Sequence, residues 1–174
     1  VESGALRLEL ERVDLCALLT DVAAHAGEWA IKVGVDLKLD CPRDAGVLLA
    51  DARRLRQIVF NLLSNALKYT PRGGAIVLSG VIRGEDVQIA VADDGPGIAP
   101  EVKANVFERF SAKSRSGKRA GAGLGLALVN RFVELHDGWV EIESGNGTVV
   151  RCHLPRRIHD GQQHPQGGEQ TRYN

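Results

Sequence analysis

The chain has 174 residues, of which 44% are hydrophobic, enough for one domain with a buried core. Its 22 Lys and Arg residues balance its 22 Asp and Glu residues, so bulk charge favours neither nucleic acid nor an anionic membrane as a partner. No apolar run reaches the length of a membrane span, and Cys16, Cys41 and Cys152 have no zinc-ligand spacing. We expect a cytoplasmic domain with reduced thiols, which leaves open whether its parent protein is attached to a membrane.

The amino-terminal part predicts a strand, a helix and two further strands. Leucines alternate with charged residues over positions 6–11, which indicates a half-buried strand. Asp14 can cap a helix that runs toward Trp29. Alternation at 35–39 and a short apolar run at 47–50 predict the next two strands.

The middle of the chain has the clearest helical pattern. This helix begins at Asp51 and ends near Thr70, because a proline and two glycines follow. Apolar runs at 75–82 and 87–92 predict a hairpin. Proline and glutamate then open a short helix over 100–110.

The carboxy-terminal part begins with a loop. Residues 111–122 are small and basic, which is typical of a mobile loop, and 124–135 predict a helix. Strands at 139–144 and 148–154 form a last hairpin. The polar composition of 156–174 predicts a disordered tail.

Hairpins that alternate with helices indicate an α+β fold. We expect a two-layer α/β sandwich, in which about three helices cover one face of a mixed, mostly antiparallel sheet. A doubly wound nucleotide fold would instead alternate strands and helices strictly.

One face of the helix from Asp51 is polar and mostly uncharged. At about 100° per residue, Asn61, Asn65 and Lys68 lie in one row with Arg54 and Gln57. Asparagine is a mediocre helix former, whereas two amide oxygens and an ammonium group suit hydrated Mg²⁺ and phosphates. Taken alone, the row is equally consistent with a solvated face.

A second candidate follows the strand at 87–92. Asp93 precedes a turn that contains Gly95 and Gly97. The carboxylate can accept a hydrogen bond from an exocyclic amine such as that of adenine, and the glycines allow the backbone to approach a ligand. Taken alone, an Asp-Gly-Pro-Gly turn is the simpler interpretation.

A third candidate is the segment 121–126, in which three alternating glycines lead into a helix. The free N–H groups and the dipole of a helix start favour an anion such as a phosphate. The spacing is not that of the dinucleotide fingerprint or of the P-loop. As an isolated motif it is a weak signal.

The order and spacing of these motifs resemble those of sensor histidine kinases. Residues 61–71, 93–97, 107–110 and 121–126 are similar to the N, G1, F and G2 boxes of that family. The family belongs to the ATPase superfamily that includes Hsp90, gyrase B and MutL. The resemblance covers about residues 1–155 and implies a Bergerat-type fold that binds ATP and Mg²⁺.

The resemblance implies roles for the phosphate side of the site. Asn65 would be the protein ligand of Mg²⁺, with Asn61 beside it near the phosphates. Lys68 would contact phosphate oxygens, and Tyr69 would lie against the adenine. Asn61, Lys68 and Arg109 are the candidate catalytic residues.

The resemblance also implies an adenine pocket and a lid. Asp93 would accept from the adenine amino group, beside Gly95, Gly97 and Ile98. Phe107, Arg109 and Phe110 would anchor a lid over about 99–122. The glycine box would hinge this lid and bind phosphates through the set Gly121, Gly123, Leu124, Gly125 and Leu126.

Two further features near these boxes bear on affinity. The basic residues Lys113, Arg115, Lys118 and Arg119 lie in the expected lid, where they could meet γ-phosphate charge or simply keep a solvated loop soluble. Asp94 stands where many relatives have asparagine, and we expect it at most to tune affinity.

In the implied reaction, the γ-phosphoryl group passes in line to a histidine nitrogen. None of the five histidines has the sequence context of the family's phosphoacceptor. Residues 1–4 look like the end of the upstream dimerisation helices, and 5–155 would form the catalytic domain. The acceptor would therefore lie upstream of Val1, in a parent protein that is a homodimer and passes the phosphoryl group to a response regulator.

Two alternatives to kinase activity remain open from the sequence. The first is an ATP hydrolase of the gyrase and Hsp90 kind, but those enzymes use a glutamate as the base where this chain has Asn61, and an amide cannot abstract a proton. The second is a nucleotide-binding signalling module that acts through protein contacts, because a parent with a substituted acceptor would have the same catalytic domain.

Overall fold

The computed structural model describes residues 6–98 and 123–158. The elements in chain order are β1 (Glu11–Asp14), α1 (Leu15–Val33), β2 (Asp36–Asp40), β3 (Val47–Ala50), α2 (Ala52–Tyr69), β4 (Ala75–Arg83), β5 (Asp86–Asp93), α3 (Gly123–Leu135), β6 (Trp139–Gly145) and β7 (Gly147–Pro155). The helix expected at 100–110 and the lid expected at 99–122 lie outside the described residues.

The described strands form a large sheet and a small one. The large sheet has five strands in the order β2-β4-β5-β7-β6. Its β2 and β4 are parallel, and the remaining neighbours are antiparallel. The small sheet is the antiparallel pair β1-β3. The mixed, mostly antiparallel sheet expected from the sequence is confirmed.

The helices pack on one face of the large sheet and form the core with it. Alternate residues of β4, such as Ile76 and Leu78, are fully buried, whereas Val77 and Ser79, which follow them, are half-buried. Ile58 and Leu63 of α2 are buried in the same cluster. Burying one such side chain contributes about 1.5–3 kcal/mol, so these alternating positions hold the two layers together. None of the helices in the described ranges is long and apolar enough to cross a membrane.

The starts of α1 and α2 are capped by aspartate, as the sequence predicts. Asp14 Oδ1 accepts from the Ala17 N–H at 2.9 Å, and Asp51 Oδ1 accepts from the Arg54 N–H at 3.1 Å. Each bond satisfies one of the free donors at a helix start and contributes about 1 kcal/mol. Gly34 ends α1 with a φ of 71°, a conformation that favours glycine.

The first strand does not lie where the leucine alternation predicts it. Residues 6–10 are not in a strand, and β1 begins at Glu11, which pairs with Ala50. In this register Leu10 would face Asp51, but Asp51 already leaves the strand to cap α2. The Glu9 N–H donates instead to Asp51 Oδ2 at 3.0 Å. The prediction was wrong because the partner strand ends before the alternation does.

The predicted tail begins too early, since residues 156–158 belong to the folded domain. Arg156 donates its backbone N–H to the Glu85 carbonyl at 2.9 Å and accepts from the Leu49 N–H at 2.9 Å. Its Nε also donates to the Val47 carbonyl at 3.0 Å. These bonds join β3 to the turn between β4 and β5. Residues 159–174 lie outside the described part.

Candidate functional site

Three elements meet beside one end of the large sheet: the last turns of α2, the end of β5 and the start of α3. A Cβ on Gly125 of α3 would stand 3.2 Å from Asn65 Nδ2 of α2. A Cβ on Gly95, just after β5, would stand 3.2 Å from the Tyr69 carbonyl of α2. The structure thus brings together three motifs that are far apart in the sequence.

The two asparagines of α2 are partly buried, and their amides lack protein partners. Asn61 Nδ2 and Asn65 Nδ2 are buried, yet neither makes a hydrogen bond within the described ranges. A buried polar group without a partner costs about 1–3 kcal/mol. Such a cost is expected at a site where a ligand supplies the missing partner. The oxygen and nitrogen of either amide exchange places by a half-turn of the side chain, so each can accept or donate.

Gly125 provides room beside the Asn65 amide. A Cβ at this position would also lie 3.4 Å from Asn65 Oδ1, so a larger residue would push the side chain aside. Gly125 lies in the first turn of α3, which begins at Gly123. The first N–H groups of a helix have no partners within it and favour an anion. The described start of α3 and a buried amide of α2 therefore lie side by side.

Asp93 ends β5 with its carboxylate held by backbone groups. Its Oδ1 accepts from the Gly95 N–H at 3.0 Å, and Thr148 of β7 provides a second backbone hydrogen bond. Burial raises the pKa of the Asp93 carboxyl, and the charge of Asp94 adds to the rise, whereas the two backbone bonds oppose it. The carboxylate is thus fixed in position and incompletely solvated, which suits recognition of a hydrogen-bond donor.

The turn after β5 is held against the hairpin of β6 and β7. Gly97 has a φ of 78°, and a Cβ there would stand 2.5 Å from the Gly145 carbonyl. The Ile98 N–H donates to Ser144 Oγ at 2.6 Å, and Ser144 Oγ donates to the Ile98 carbonyl at 3.2 Å. Only glycine fits this approach without a clash, so Gly97 fixes the path of the chain leaving the site.

Lys68 and Tyr69 lie at the end of α2 and are exposed. Tyr69 is 52% exposed, which is unusual for so large an apolar ring and leaves its face accessible. The Lys68 ammonium group is accessible in the same way. Both side chains are therefore available to a ligand that enters between α2 and the end of β5.

Comparisons with known proteins match this architecture. Residues 50–158 match the family model described as histidine kinase-, DNA gyrase B-, and HSP90-like ATPase. The chain belongs to this ATPase family. Its most similar curated relatives include the sensor protein DivL of Caulobacter vibrioides, 39% identical over 97% of this chain and 22% of that protein. Another is the adaptive-response sensory kinase SasA of Parasynechococcus marenigrum, 36% identical over 89% of this chain and 43% of that protein.

Solved structures of histidine kinases have the same fold as this ATPase domain. The catalytic domain of histidine kinase ThkA matches with a TM-score of 0.74 and 25% identity, over 86% of this chain and 97% of that one. Full-length ShkA, solved in complex with AMPPNP, matches with a TM-score of 0.71 and 36% identity, over 87% of this chain and 32% of that one. The chain thus spans less than half the length of the curated relatives cited, and it has the fold of the solved histidine kinase catalytic domains.

Not every predicted site residue of the ATPase domain can be placed. Tyr69 meets the turn after Asp93 at Gly95, and Asn65 meets Gly125. Asn61 and Lys68 lie on the same helix, α2. Ile98 and Leu126 are partly buried and pack against the core. Phe107, Arg109, Phe110 and Gly121 lie outside the described residues. Of Gly123 and Leu124 only the backbone is described. The roles that the resemblance implies remain predictions for all of these site residues.

Two contributors to the site were not predicted, and neither was a structural contact of Asp94. Thr148 holds Asp93, Ser144 holds Ile98, and Asp94 has a structural contact as well as a charge. Asp94 Oδ1 accepts from the Ala75 N–H at 2.9 Å, which fixes the start of β4. The sequence predicts the turn between β6 and β7 only as a hairpin turn, but that turn packs on the Asp93 segment, since a Cβ on Gly147 would clash with the Asp93 carbonyl.

Proposed function

We propose that this chain is the ATP-binding catalytic domain of a sensor histidine kinase, and that it transfers the γ-phosphoryl group of ATP to a histidine outside this chain. The observation that carries the proposal is the pair of buried amides of Asn61 and Asn65, which have no hydrogen-bond partner in the described ranges; the Asn65 amide lies beside Gly125. If this helix face were only structural, ordinary helix-forming residues at the two positions would cost less free energy than two such buried amides.

The residues present fit Mg²⁺ and a triphosphate. The Asn65 amide oxygen is a hard ligand of the kind that Mg²⁺ prefers, and the N–H groups of a helix start such as that of α3 would suit phosphate oxygens. When bound, Mg²⁺ would offset negative charge on the phosphates. Lys68, exposed one turn after Asn65, would add a second positive charge on the same side.

Asp93 would select the base. Its carboxylate is fixed by the Gly95 N–H, and its remaining acceptor capacity can take the exocyclic amino group of adenine. Guanine presents a carbonyl oxygen at the equivalent position, which the carboxylate would repel. Tyr69 would cover the base with its exposed ring.

Transfer is favoured over hydrolysis by Asn61. A hydrolase needs a base that removes a proton from water, and an amide has no such basicity. The phosphoacceptor would come from another part of the parent protein, since the three histidines in the described ranges are otherwise engaged. His25 Nδ1 lies 2.7 Å from the Asp21 carbonyl, His136 is buried, and His153 stacks on Trp139.

The partners of the parent protein are proposed on the same basis. We expect a dimer whose helices present the acceptor histidine, and a response regulator that takes the phosphoryl group from it. ThkA, a structural neighbour, was solved in complex with the response regulator TrrA, which supports this expectation by analogy of fold. We also expect this domain to lie in the cytoplasm, where ATP is available.

Incubation of the full-length parent with γ-labelled ATP tests the proposed reaction. We expect acid-labile, alkali-stable label, as a phosphoramidate gives, and its loss in Asn61→Ala. Labelled inorganic phosphate without protein label would indicate a hydrolase. Nucleotide binding without either product would indicate a signalling module that acts through protein contacts.

A further inference from the structure

His136 is a buried imidazole at the end of α3, 2% exposed, with both ring nitrogens in use. Its Nδ1 lies 2.7 Å from the Phe132 carbonyl, which can only accept. Its Nε2 lies 3.1 Å from the Asp51 N–H, which can only donate. The two partners therefore fix the neutral tautomer with the proton on Nδ1.

Asp51, the partner of His136 Nε2, organises the start of α2. Its Oδ1 accepts from the Arg54 N–H, and its Oδ2 accepts from the Glu9 N–H at 3.0 Å. One residue thus joins the segment before β1, the first turn of α2 and the end of α3. The imidazole holds the only backbone donor of Asp51.

Two more contacts strengthen this junction between α2 and α3. The Arg54 guanidinium carbon lies 4.8 Å from the centroid of the Phe132 ring, a cation–π contact. Arg157 donates to the His136 carbonyl at 3.1 Å and pairs with Asp137. The end of α3 is therefore fixed from both sides.

The junction lies at the opposite end of the helix pair from the candidate nucleotide site. Asp51 at the start of α2 meets His136 at the end of α3, whereas Asn65 near the end of α2 meets Gly125 at the start of α3. The two helices therefore run antiparallel. Each residue of a helix rises about 1.5 Å. A slip of α2 along α3 by one residue would therefore change the distance between Asn65 and Gly125 by more than the few tenths of an ångström that this contact tolerates.

We propose that His136 is a positioning residue of the nucleotide site, which joins the start of α2 to the end of α3 and so sets the spacing of Asn65 and Gly125. This inference rests on the proposed function. This positioning depends on Nε2 as a hydrogen-bond acceptor. Without it, the buried Asp51 N–H has no partner in the described structure, and the start of α2 separates from the end of α3.

The charges around His136 agree with a neutral ring at pH 7. Burial lowers the pKa of His136, and Arg157 lowers it further. The Phe132 carbonyl and the carboxylates of Asp51 and Asp137 oppose the shift. Protonation would place a donor against the Asp51 N–H and would break the junction.

Two variants separate positioning from packing. His136→Gln keeps an acceptor near the place of Nε2, whereas His136→Phe keeps the ring volume and removes the acceptor. We expect His136→Gln to bind a non-hydrolysable Mg²⁺–ATP analogue within about threefold of wild type. We expect His136→Phe to lose about tenfold, with a smaller loss for the metal-free analogue. Equal binding by all three proteins would overturn the proposal.

An NMR measurement without nucleotide distinguishes failure of this inference from failure of the proposed function. The amide signals of Gly125 and of the Asn65 side chain should shift in His136→Phe and stay in place in His136→Gln. In the wild type, the same signals should shift when the His136 ring becomes protonated. This measurement tests the inference even if His136→Phe does not fold. The inference would be overturned if the signals of residues 65 and 125 changed neither with substitution nor with protonation of His136, whether or not nucleotide binds.

Discussion

Gly125 lies against the side-chain amide of Asn65, so that a Cβ at residue 125 would stand 3.2 Å from Nδ2. The glycine comes from the first turn of α3 and the asparagine from α2. This approach places the described start of α3 beside a buried amide that has no hydrogen-bond partner in the described ranges. The phosphate side of the proposed ATP site is built on this pair.

Gly125→Ala should weaken nucleotide binding by about tenfold, because the added methyl group displaces the Asn65 amide. Stability should be unchanged or higher, since alanine favours a helix over glycine by about 0.5–1 kcal/mol. Gly27→Ala in α1 is the matched control, because its Cβ would meet nothing within 4 Å. Calorimetric titration and thermal unfolding of both variants check this. Wild-type affinity in Gly125→Ala would count against the pairing.

Asp93→Asn should lose affinity for ATP by about tenfold or more while affinity for GTP changes little, because the acceptor for the adenine amino group is weakened. Since burial raises the pKa of Asp93, its charge destabilises the empty domain at neutral pH, and the variant should not melt below wild type. Titration with both nucleotides measures the preference.

Asp94→Asn is the control for the charge next to Asp93. Asparagine retains an oxygen that can accept from the Ala75 N–H, so the start of β4 and the preference for ATP should both survive. An equal loss of ATP and GTP binding in Asp93→Asn would remove the adenine role from Asp93.

The stability of the domain should fall below about pH 6.5 partly through His136. The native pKa of His136 is lowered from its ordinary value of 6.5. At a pH between the native and the unfolded pKa of His136, the unfolded chain binds a proton that the native domain does not. Acid therefore lowers the free energy of unfolding by about 1.4 kcal/mol for each unit by which the two pKa values differ. Thermal unfolding of wild type and His136→Gln across this range measures the effect. Parallel pH profiles of the two proteins would refute it.

Local signals in the sequence predicted most of the fold. The caps at Asp14 and Asp51 and the break after Thr70 are set by neighbouring residues, and they appear where expected. The leucine alternation at 6–11 failed because strand pairing depends on where β3 ends, which is not a local property. Arg156 was assigned to the tail because its partners, Glu85 and Leu49, are distant in sequence.

Contacts of the candidate site could be predicted when both residues belong to one sequence motif. Contacts between residues of two separate motifs could not be predicted. The bond from Gly95 to Asp93 spans two residues, whereas the contact of Ser144 with Ile98 and that of His136 with Asp51 exist only after folding. The same holds for Cys16, whose thiol lies 3.6 Å from the Cys41 carbonyl although no spacing in the sequence suggests it.

Calorimetric titration of the chain with a non-hydrolysable ATP analogue, with and without Mg²⁺, tests the central claim most directly, using Asn65→Ala and Asn130→Ala. Asn130 is the matched control, because its amide already donates to Glu134 at 3.0 Å. The account predicts Mg²⁺-dependent binding that Asn65→Ala reduces at least tenfold and Asn130→Ala leaves unchanged. Absence of binding by the folded wild type, or an equal effect of the two substitutions, would contradict it.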